Sequence, residues 1–461
     1  MKRVYLDSNV FRYLKQKPDL LESIFDVINS FMFYYSYAHL ADLSRDKTDM
    51  KFDDLIFMEN LVDQNFLNLQ SDREYVNVQI VPPALAFSSL TNLKFSDINF
   101  VDIIDDAFPN DISTLEIDKA KELLKMFLTF PIKSLGMEDL NFQTEGTAVD
   151  IISPNGTNSI LEYLEKLVNT FDNLNTDPKL WRELRNYTIE NLNFSNFEID
   201  IQNIEFDKQL KNTKLQSTFI KFVENALSSF RKTDFRDQYN FFITAYTCLN
   251  LLGIDKEKSK KVVFSSFQND AQHAYYAAHC EYLVSDDEQL LLKAKALYNL
   301  LNIKTQVLHA DEFFNNLDKI GCDGELEFDD FMEKLKDLKN NINFSESISY
   351  DEGTVYRLYN SYFDYFNEMQ IIKTENLNPI CVFYKEYENY SNFSSFEEME
   401  LITNRIVRTL GRDLYNKKKY SANDTLQIKN EDWQGRVWDF EYSNFYLKIN
   451  NKRFSLHYQP K

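Results

Sequence analysis

Short apolar segments of this chain end abruptly on acidic residues, and such positions could hold a metal ion. Asp7 follows the apolar run 4–6 and precedes an amphipathic helix pattern, and Asp287 follows the run 282–284 in the same way. In an open parallel α/β sheet, ligands bind outside the carboxyl ends of the strands. A carboxylate there can bind a divalent cation, although an Asp that only caps the next helix has the same sequence context.

Two further acids lie on predicted helices. Asp42 belongs to the helix pattern 36–46, which follows the aromatic run 31–35, and Asp270 opens a helix that leads into the run before Asp287. Asp42 and Asp270 are 228 positions apart. A single site built from both therefore requires a large insertion between them.

Four polar residues near these acids could orient a carboxylate or a water molecule. His39 and His273 are candidates because each lies three positions from an acid on a predicted helix and therefore shares the helix face of that acid. For His39, which lies three residues before Asp42, a role in helix packing is favoured over a role in orienting Asp42. The four candidates are Asn9, Ser285, His39 and His273.

The order of these motifs resembles the PIN-domain nuclease superfamily. That family has an Asp after its first strand, an acid on the helix after the second strand, an Asp followed by His and Ala on a later helix, and a strand that ends in Ser or Thr, any residue, and Asp. The matching segments are Leu6-Asp7-Ser8-Asn9-Val10, Asp42 (where the family more often has Glu), Asp270 with His273 and Ala277, and Ser285-Asp286-Asp287. The resemblance covers roughly residues 1–85 and 225–318.

The resemblance implies a metal-dependent endonuclease that hydrolyses phosphodiester bonds, with RNA favoured over DNA as substrate. It implies that four carboxylates coordinate Mg²⁺ or Mn²⁺, both hard ions that prefer carboxylate oxygen and water. These are Asp7, Asp42, Asp270 and Asp287. The insertion and the C-terminal segment are large additions to such a domain, and their size favours a regulated effector. This effector would be a toxin or an antiviral defence protein with a regulatory protein partner. The alternative is a catalytically inactive PIN-like binding or scaffold protein.

The fold class we predict is α/β, with a PIN-like parallel sheet flanked by helices, a mostly helical insertion and an α+β C-terminal domain. The predicted boundaries are 1–90 and 225–318 for the two parts of the PIN-like domain, 91–224 for the insertion, and 319–461 for the C-terminal domain. Helical periodicity occurs at 115–130, 158–171, 178–192, 328–342 and 354–372. Alternating apolar and polar residues predict antiparallel strands within 424–458.

Charge is unevenly distributed along the chain. The net charge is −21, yet residues 401–461 contain 12 Lys and Arg against 6 Asp and Glu, a net of +6. Basic residues interleaved with aromatic ones suit contacts with phosphates and bases, although a solvated basic face has the same composition. Strong overall acidity argues against binding along duplex DNA and favours a locally held RNA or a partner protein. The candidate contacts are Arg405, Arg408, Arg412, Lys417, Lys418 and Lys419.

Other classes of site and location are disfavoured. The four cysteines are too scattered for a zinc site or a disulfide framework, and no phosphate-binding glycine loop occurs. The segment 318–331 resembles a calcium loop but has Lys319 and Gly321 where oxygen ligands are needed. Without a signal peptide or a long apolar run, we expect a cytoplasmic protein that does not span a membrane.

Overall fold

The computed structural model covers the whole chain in two compact units. It describes residues 1–69, 76–90, 159–192, 206–213, 216–228, 238–253, 264–320, 327–337, 344–351, 353–372, 378–391, 393–450 and 453–461. The first unit comprises residues 1–88, 237–239 and 273–461, and the second comprises 89–236 and 240–272. The predicted C-terminal domain, 319–461, therefore lies in the same unit as the N-terminal α/β segment.

A six-stranded mixed sheet forms one layer of the first unit. The strand order is β4-β3-β2-β1-β5-β6, and every neighbouring pair is parallel except β3 with β4. The strands are β1 (Lys2–Leu6), β2 (Phe31–Ser36), β3 (Asn65–Leu69), β4 (Val76–Ile80), β5 (Tyr282–Ser285) and β6 (Gln306–His309). The α/β class predicted from the sequence is thus confirmed.

Continuous apolar runs explain why the central strands lie inside. All six residues of β2 and four of the five residues of β1 are buried, as expected for parallel strands covered on both faces. Helices flank these strands. They are α1 (Ser8–Lys15), α2 (Pro18–Asp26), α3 (Tyr37–Arg45), α4 (Met50–Val62) and α5 (Pro83–Ser88), with α12 (Glu288–Leu300), α13 (Ala310–Phe314) and α14 (Leu317–Ile320) later in the chain.

The sheet reverses its strand order at β1. From β1 the chain proceeds to β2 and β3 on one side, and it later enters β5 and β6 on the other side. In open α/β sheets a crevice forms outside the carboxyl ends of the strands at such a reversal, because the two flanking connections run to opposite sides. The carboxyl ends of β1, β2 and β5 are therefore where a ligand site is expected.

A second, antiparallel sheet of seven strands completes the first unit, in the order β11-β12-β13-β10-β9-β8-β7. Its strands are β7 (Phe344–Tyr350), β8 (Gly353–Tyr362), β9 (Phe366–Ile372), β10 (Ile380–Tyr384), β11 (Arg436–Asp439), β12 (Ser443–Asn450) and β13 (Arg453–Pro460). The accompanying helices are α15 (Phe328–Asp337), α16 (Phe396–Leu410) and α17 (Ala422–Lys429). The antiparallel strands predicted within 424–458 are confirmed from Arg436 onward. The prediction is wrong for 424–429, which belongs to α17, because Ser421 and Asp424 form a capping box that begins this helix.

The helix predicted at 354–372 is wrong, because this segment forms the hairpin β8–β9. The chain reverses where Tyr365 N–H donates to Tyr362 O, with positive φ at both Phe363 and Asp364. Such turns normally use Gly or Asn. Here burial of the Phe363 ring and an ion pair between Asp364 and Arg405 stabilise the turn, so the usual sequence signal is absent.

The second unit is helical where the structure describes it. Its helices are α6 (Ile160–Thr176), α7 (Pro178–Leu192), α8 (Phe206–Gln209), α9 (Phe219–Ser228), α10 (Gln238–Leu251) and the first part of α11 (Phe264–Ala277). The helix predicted at 115–130 and part of the calcium-like segment lie outside the described residues. Within the part of the chain that is described, no helix has the length and apolarity needed to cross a bilayer.

Candidate metal centre

Three side chains meet at the carboxyl edge of the six-stranded sheet. Asp7 directly follows β1 and is the N-cap of α1, and Asp42 lies on α3, six residues after β2 ends. His273 lies on α11, the helix that leads into β5. All three residues therefore lie in the connections next to β1, β2 and β5, the strands at the strand-order reversal.

The facing atoms of these residues are close enough to share one ion. His273 Nε2 is 3.0 Å from Asp42 Oδ2 and 3.7 Å from Asp7 Oδ1, and the three ligand atoms all lie within 4.8 Å of one another. Ligand atoms around one octahedral ion lie about 3 to 4 Å apart, since each is about 2 Å from the metal. Small side-chain rotations therefore suffice, and the group could hold a metal ion.

No match to known proteins supplements this geometry. Comparisons with models of protein families, with curated proteins and with solved structures find none. The assignment of the centre consequently depends on its own donor atoms, on their partners and on their electrostatics.

Asp7 is held rigidly in a position where its charge is disfavoured. Its Oδ1 accepts a hydrogen bond from Ser8 N–H and its Oδ2 accepts one from Ser285 Oγ–H, both at 2.7 Å. Burial raises the pKa of Asp7, and the nearby Asp42 charge adds to this, against the opposing effects of His273 and Ser285. A buried carboxylate of this kind gains most from a cation.

Asp42 lies at the open side of the group. Its side chain is 23% exposed, and its Oδ1 is 3.3 Å from Arg45 Nη1 on the same helix. Burial alone would raise the pKa of Asp42, but the hydrogen bond and charge of His273 lower it to about 2. Asp42 is therefore ionised at neutral pH.

The His273 ring is held from behind by a row of hydroxyl groups. Its Nδ1 lies 2.9 Å from Tyr5 Oη, which lies 2.7 Å from Ser36 Oγ at the end of β2. Both hydroxyls can donate or accept, so this row can stabilise either neutral form of the ring. Nε2, the atom that faces the two carboxylates, is thereby aimed at the centre.

His39, predicted as a possible orienting residue for Asp42, has a different role. Its Nδ1 accepts a hydrogen bond from Ser36 N–H at 3.0 Å, and its Nε2–H donates to Leu6 O at 2.7 Å. Burial, together with the neighbouring His273, lowers the pKa of His39 to about 3, so the ring is neutral. His39 thus joins α3 to β1, in agreement with the helix-packing interpretation.

Ser285 and Asn9 connect the centre to the start of α12. Besides donating to Asp7, Ser285 Oγ accepts from Asp287 N–H at 3.0 Å, and Asn9 Nδ2 lies 3.4 Å from the same oxygen. Asn9 Oδ1 also lies 3.4 Å from Asp286 N. These contacts fix how the Asp7 carboxylate is presented.

The other two predicted carboxylates are not members of the three-residue group. Asp287 is exposed and caps α12, accepting from Gln289 N–H and Leu290 N–H. Asp270 is half-buried one turn before His273 on α11. Among the described residues, the group that could hold a metal contains only Asp7, Asp42 and His273.

Two features of the centre were missed by sequence reasoning. The sequence predicts only an orienting role for His273, yet its ring nitrogen faces both carboxylates directly. For Tyr5 the sequence indicates only a position in a buried strand, yet its hydroxyl positions that ring. The spacing of Tyr5 two residues before Asp7 was the available signal, because alternate strand residues share a face.

A cavity of about 20 Å³ lies beside the open carboxylate, which is room for roughly one water molecule. Its lining surface is mostly apolar, although Asp42 and Asp54 are among the lining residues. The side chain of Arg12 is largely exposed and is 4.0 Å from Asp54.

The predicted basic cluster divides into buried and exposed members. Arg405 is buried, and its guanidinium donates to Phe363 O at 2.8 Å and to Asn29 O at 2.6 Å. Lys417 is half-buried and pairs with Asp424 at 3.2 Å. The members that reach solvent are Arg408, Arg412, Lys418 and Lys419. Arg405 therefore holds the hairpin turn and is unsuited to contact a ligand.

Proposed function

We propose that this protein is a divalent-metal-dependent endonuclease that hydrolyses phosphodiester bonds, with RNA as its substrate. The observation that carries the proposal is the meeting of Asp7, Asp42 and His273 at the strand-order reversal of an α/β sheet. That position is where such sheets bind ligands. The raised pKa of Asp7 supports it, since perturbed carboxylates cluster at functional sites.

The donor set fits Mg²⁺ or Mn²⁺, with Mn²⁺ favoured. Two carboxylates suit both ions, whereas an imidazole nitrogen suits manganese and other transition metals better than magnesium. Asp7, Asp42 and His273 would hold the ion. Once bound, it would supply a water activated for attack and positive charge against the phosphate oxygens.

The chain's own residues prepare this site before any ion arrives. Ser285 and the backbone of Ser8 fix both oxygens of Asp7, and Tyr5 fixes the ring of His273. Asp42 keeps its negative charge and faces the open side, where substrate can enter. Such preorganisation reduces the rearrangement required when ligand binds.

The test is cleavage of labelled single-stranded RNA, and of matching DNA, with Mn²⁺, with Mg²⁺ and with chelator. Asp7→Asn retains shape and capping ability but loses the charge that holds the ion, so we expect cleavage to fall at least about 100-fold. RNA that stays intact under all metal conditions would contradict the proposal and favour a binding or scaffold role.

A matched control lies at the end of the neighbouring strand, β5. Asp286 is half-buried, its Oδ1 is 3.5 Å from His309 Nε2, and it is not a member of the three-residue group. Asp286→Asn should retain most activity. Equal loss in both variants would indicate that general acidity at this edge matters more than coordination. Asp287→Asn decides separately whether the exposed helix cap participates, as the family resemblance implies.

A further inference from the structure

Beyond the metal centre, a loop in the first unit combines rigid anchoring with an unusual exposed surface. The loop spans residues 411–421, between α16 and α17. It contains one acid, Asp413, and four bases. The structure separates these charges, because the acid is buried and three of the four bases are exposed.

Asp413 holds the loop from inside. Its Oδ1 accepts from Tyr415 N–H at 3.1 Å and from Lys417 N–H at 2.8 Å, and its Oδ2 accepts from Arg436 Nη1 at 2.9 Å. Both charged side chains of the Asp413–Arg436 pair are fully buried. The only negative charge of the loop is thus neutralised and hidden.

Three more hydrogen bonds fasten the loop to the sheet and to α16. Leu414 N–H donates to Val437 O at 2.7 Å, and Trp438 Nε1–H donates to Gly411 O at 2.8 Å. Tyr420 N–H donates to Asn404 Oδ1 at 2.8 Å. A backbone fastened at so many points loses little further conformational entropy when it binds a partner.

The outer surface of this anchored loop is apolar and cationic. The side chains of Leu414 and Tyr415 are 63% and 61% exposed. Arg412 is exposed on the same loop, and its Nη1 donates to Asn416 Oδ1 at 3.0 Å. Lys418 and Lys419 are exposed on the same loop. An exposed planar ring on a loop that also exposes three cations suits a nucleic-acid strand, in which bases stack and phosphates pair with Arg and Lys.

We propose that loop 411–421 is a single-strand clamp, in which Tyr415 stacks on a base and Arg412, Lys418 and Lys419 contact neighbouring phosphates. The inference rests on the proposed function, because it names where the RNA substrate is held. The net charge of −21 favours a strand over a membrane. An anionic bilayer faces a whole side of the protein, whereas a strand contacts only charges within about 10 Å.

The test measures binding of fluorescein-labelled oligouridylate to the full chain in chelator, so that no cleavage occurs. Arg412→Glu with Lys418→Glu should weaken binding at least about tenfold and reduce the salt dependence, since each lost phosphate contact removes about 0.7 from the logarithmic slope. Tyr415→Ala should weaken binding about five- to 100-fold through lost stacking.

Matched variants control for charge and for aromatic loss. Lys295→Glu with Lys334→Glu makes the same charge change at exposed positions on α12 and α15, and Tyr359→Ala removes a 65% exposed ring from β8. We expect oligouridylate binding within about twofold of wild type in both. Loop variants that bind like wild type, or controls that weaken binding equally, would overturn the clamp.

Two further arms separate this inference from the proposed function and from a membrane role. Asp7→Asn should bind oligouridylate like wild type, because the loop does not require the metal centre. Binding without cleavage in any metal would contradict only the nuclease proposal. Cleavage that is unaffected by the loop variants would contradict only the clamp. Loop-dependent capture of phosphatidylserine vesicles, with oligouridylate binding unchanged, would replace the strand by a membrane surface.

Discussion

At the scale of single residues, the metal centre buries the Asp7 carboxylate close to the charged Asp42, and a bound cation would offset this unfavourable electrostatic energy. Burial raises the pKa of Asp7, whereas His273 holds the pKa of Asp42 far below its usual value. A raised carboxyl pKa means that the stability this group contributes is present at low pH and is lost as pH rises through the folded-state pKa. Without a bound ion, the wild-type protein is therefore less stable at neutral pH than a variant with an uncharged residue at position 7.

The first prediction concerns Tyr5, a positioning residue for His273. Tyr5→Phe keeps the buried ring but removes the hydroxyl 2.9 Å from His273 Nδ1. We expect Mn²⁺ affinity to fall about 10- to 100-fold, as is typical when a partner of a metal-binding histidine is lost, with a smaller effect on Mg²⁺. Titration calorimetry with each ion, without substrate, measures the change.

Tyr34→Phe provides the control for Tyr5→Phe. Tyr34 is also fully buried, and its hydroxyl lies 3.1 Å from Ser395 Oγ. This variant should bind both ions like wild type. If both variants weaken the two ions equally, the effect of Tyr5 is general loosening of the core, and its role in aiming the ring is wrong.

At the scale of elements, the first turn of α16 contacts the six-stranded sheet at β3. Glu397 Oε2 accepts a hydrogen bond from Asn65 Nδ2 on β3, and burial raises the pKa of Glu397 to about 7 despite this bond. The stability contributed by Glu397 is therefore present below its unfolded pKa, about 4.3, and is lost as pH rises through 7.

The second prediction follows from this loss of stability as pH rises. Glu397→Gln keeps a carbonyl that can accept from Asn65 but carries no charge, so it should raise the melting temperature at pH 8 and leave it nearly unchanged at pH 5. Thermal unfolding of both proteins across this range is the measurement. The prediction fails if the difference between the two proteins is independent of pH.

At the scale of the whole first unit, a buried ion pair connects β1 to α16. Arg3 donates to Glu398 through Nε at 2.8 Å and through Nη2 at 2.5 Å, and both side chains are almost fully buried. Arg3 also donates to Ser391 Oγ and Phe393 O. The pair lies on the strand that ends in Asp7, so the C-terminal segment helps to fix the base of the metal centre.

The third prediction concerns this pair. Glu398→Gln leaves the Arg3 charge buried and poorly compensated, which typically costs about 3–5 kcal/mol of folding free energy. Arg3→Met combined with Glu398→Leu removes both charges and should cost distinctly less. Urea unfolding followed by tryptophan fluorescence gives the comparison, read as a shift of the transition midpoint.

An exposed pair supplies the reference for the buried one. Arg357 pairs with Glu388 at 2.8 Å, and both side chains are more than one third exposed. Glu388→Gln should change stability by less than about 1 kcal/mol. If Glu398→Gln shifts the midpoint no further than Glu388→Gln does, the buried pair does not hold β1 to α16.

The sequence by itself determined the local elements of the α/β part. Apolar runs predicted β1, β2 and β5, and the amphipathic patterns that follow β1 and β2 predicted α1 and α3. It also placed Asp7 at the end of β1, because strand alternation and helix capping are properties of neighbouring residues. Local chemistry is sufficient for such features.

The tertiary structure decided which of these residues meet. His273 reaches Asp42 across 231 positions, and only the strand order β2-β1-β5 brings α3 and α11 to the same edge of the sheet. The same applies to the hairpin at 363–364 and to the burial of Arg405, which depend on partners far along the chain. Periodicity reports which face of an element is apolar, but the partner of that face is set by packing between distant segments.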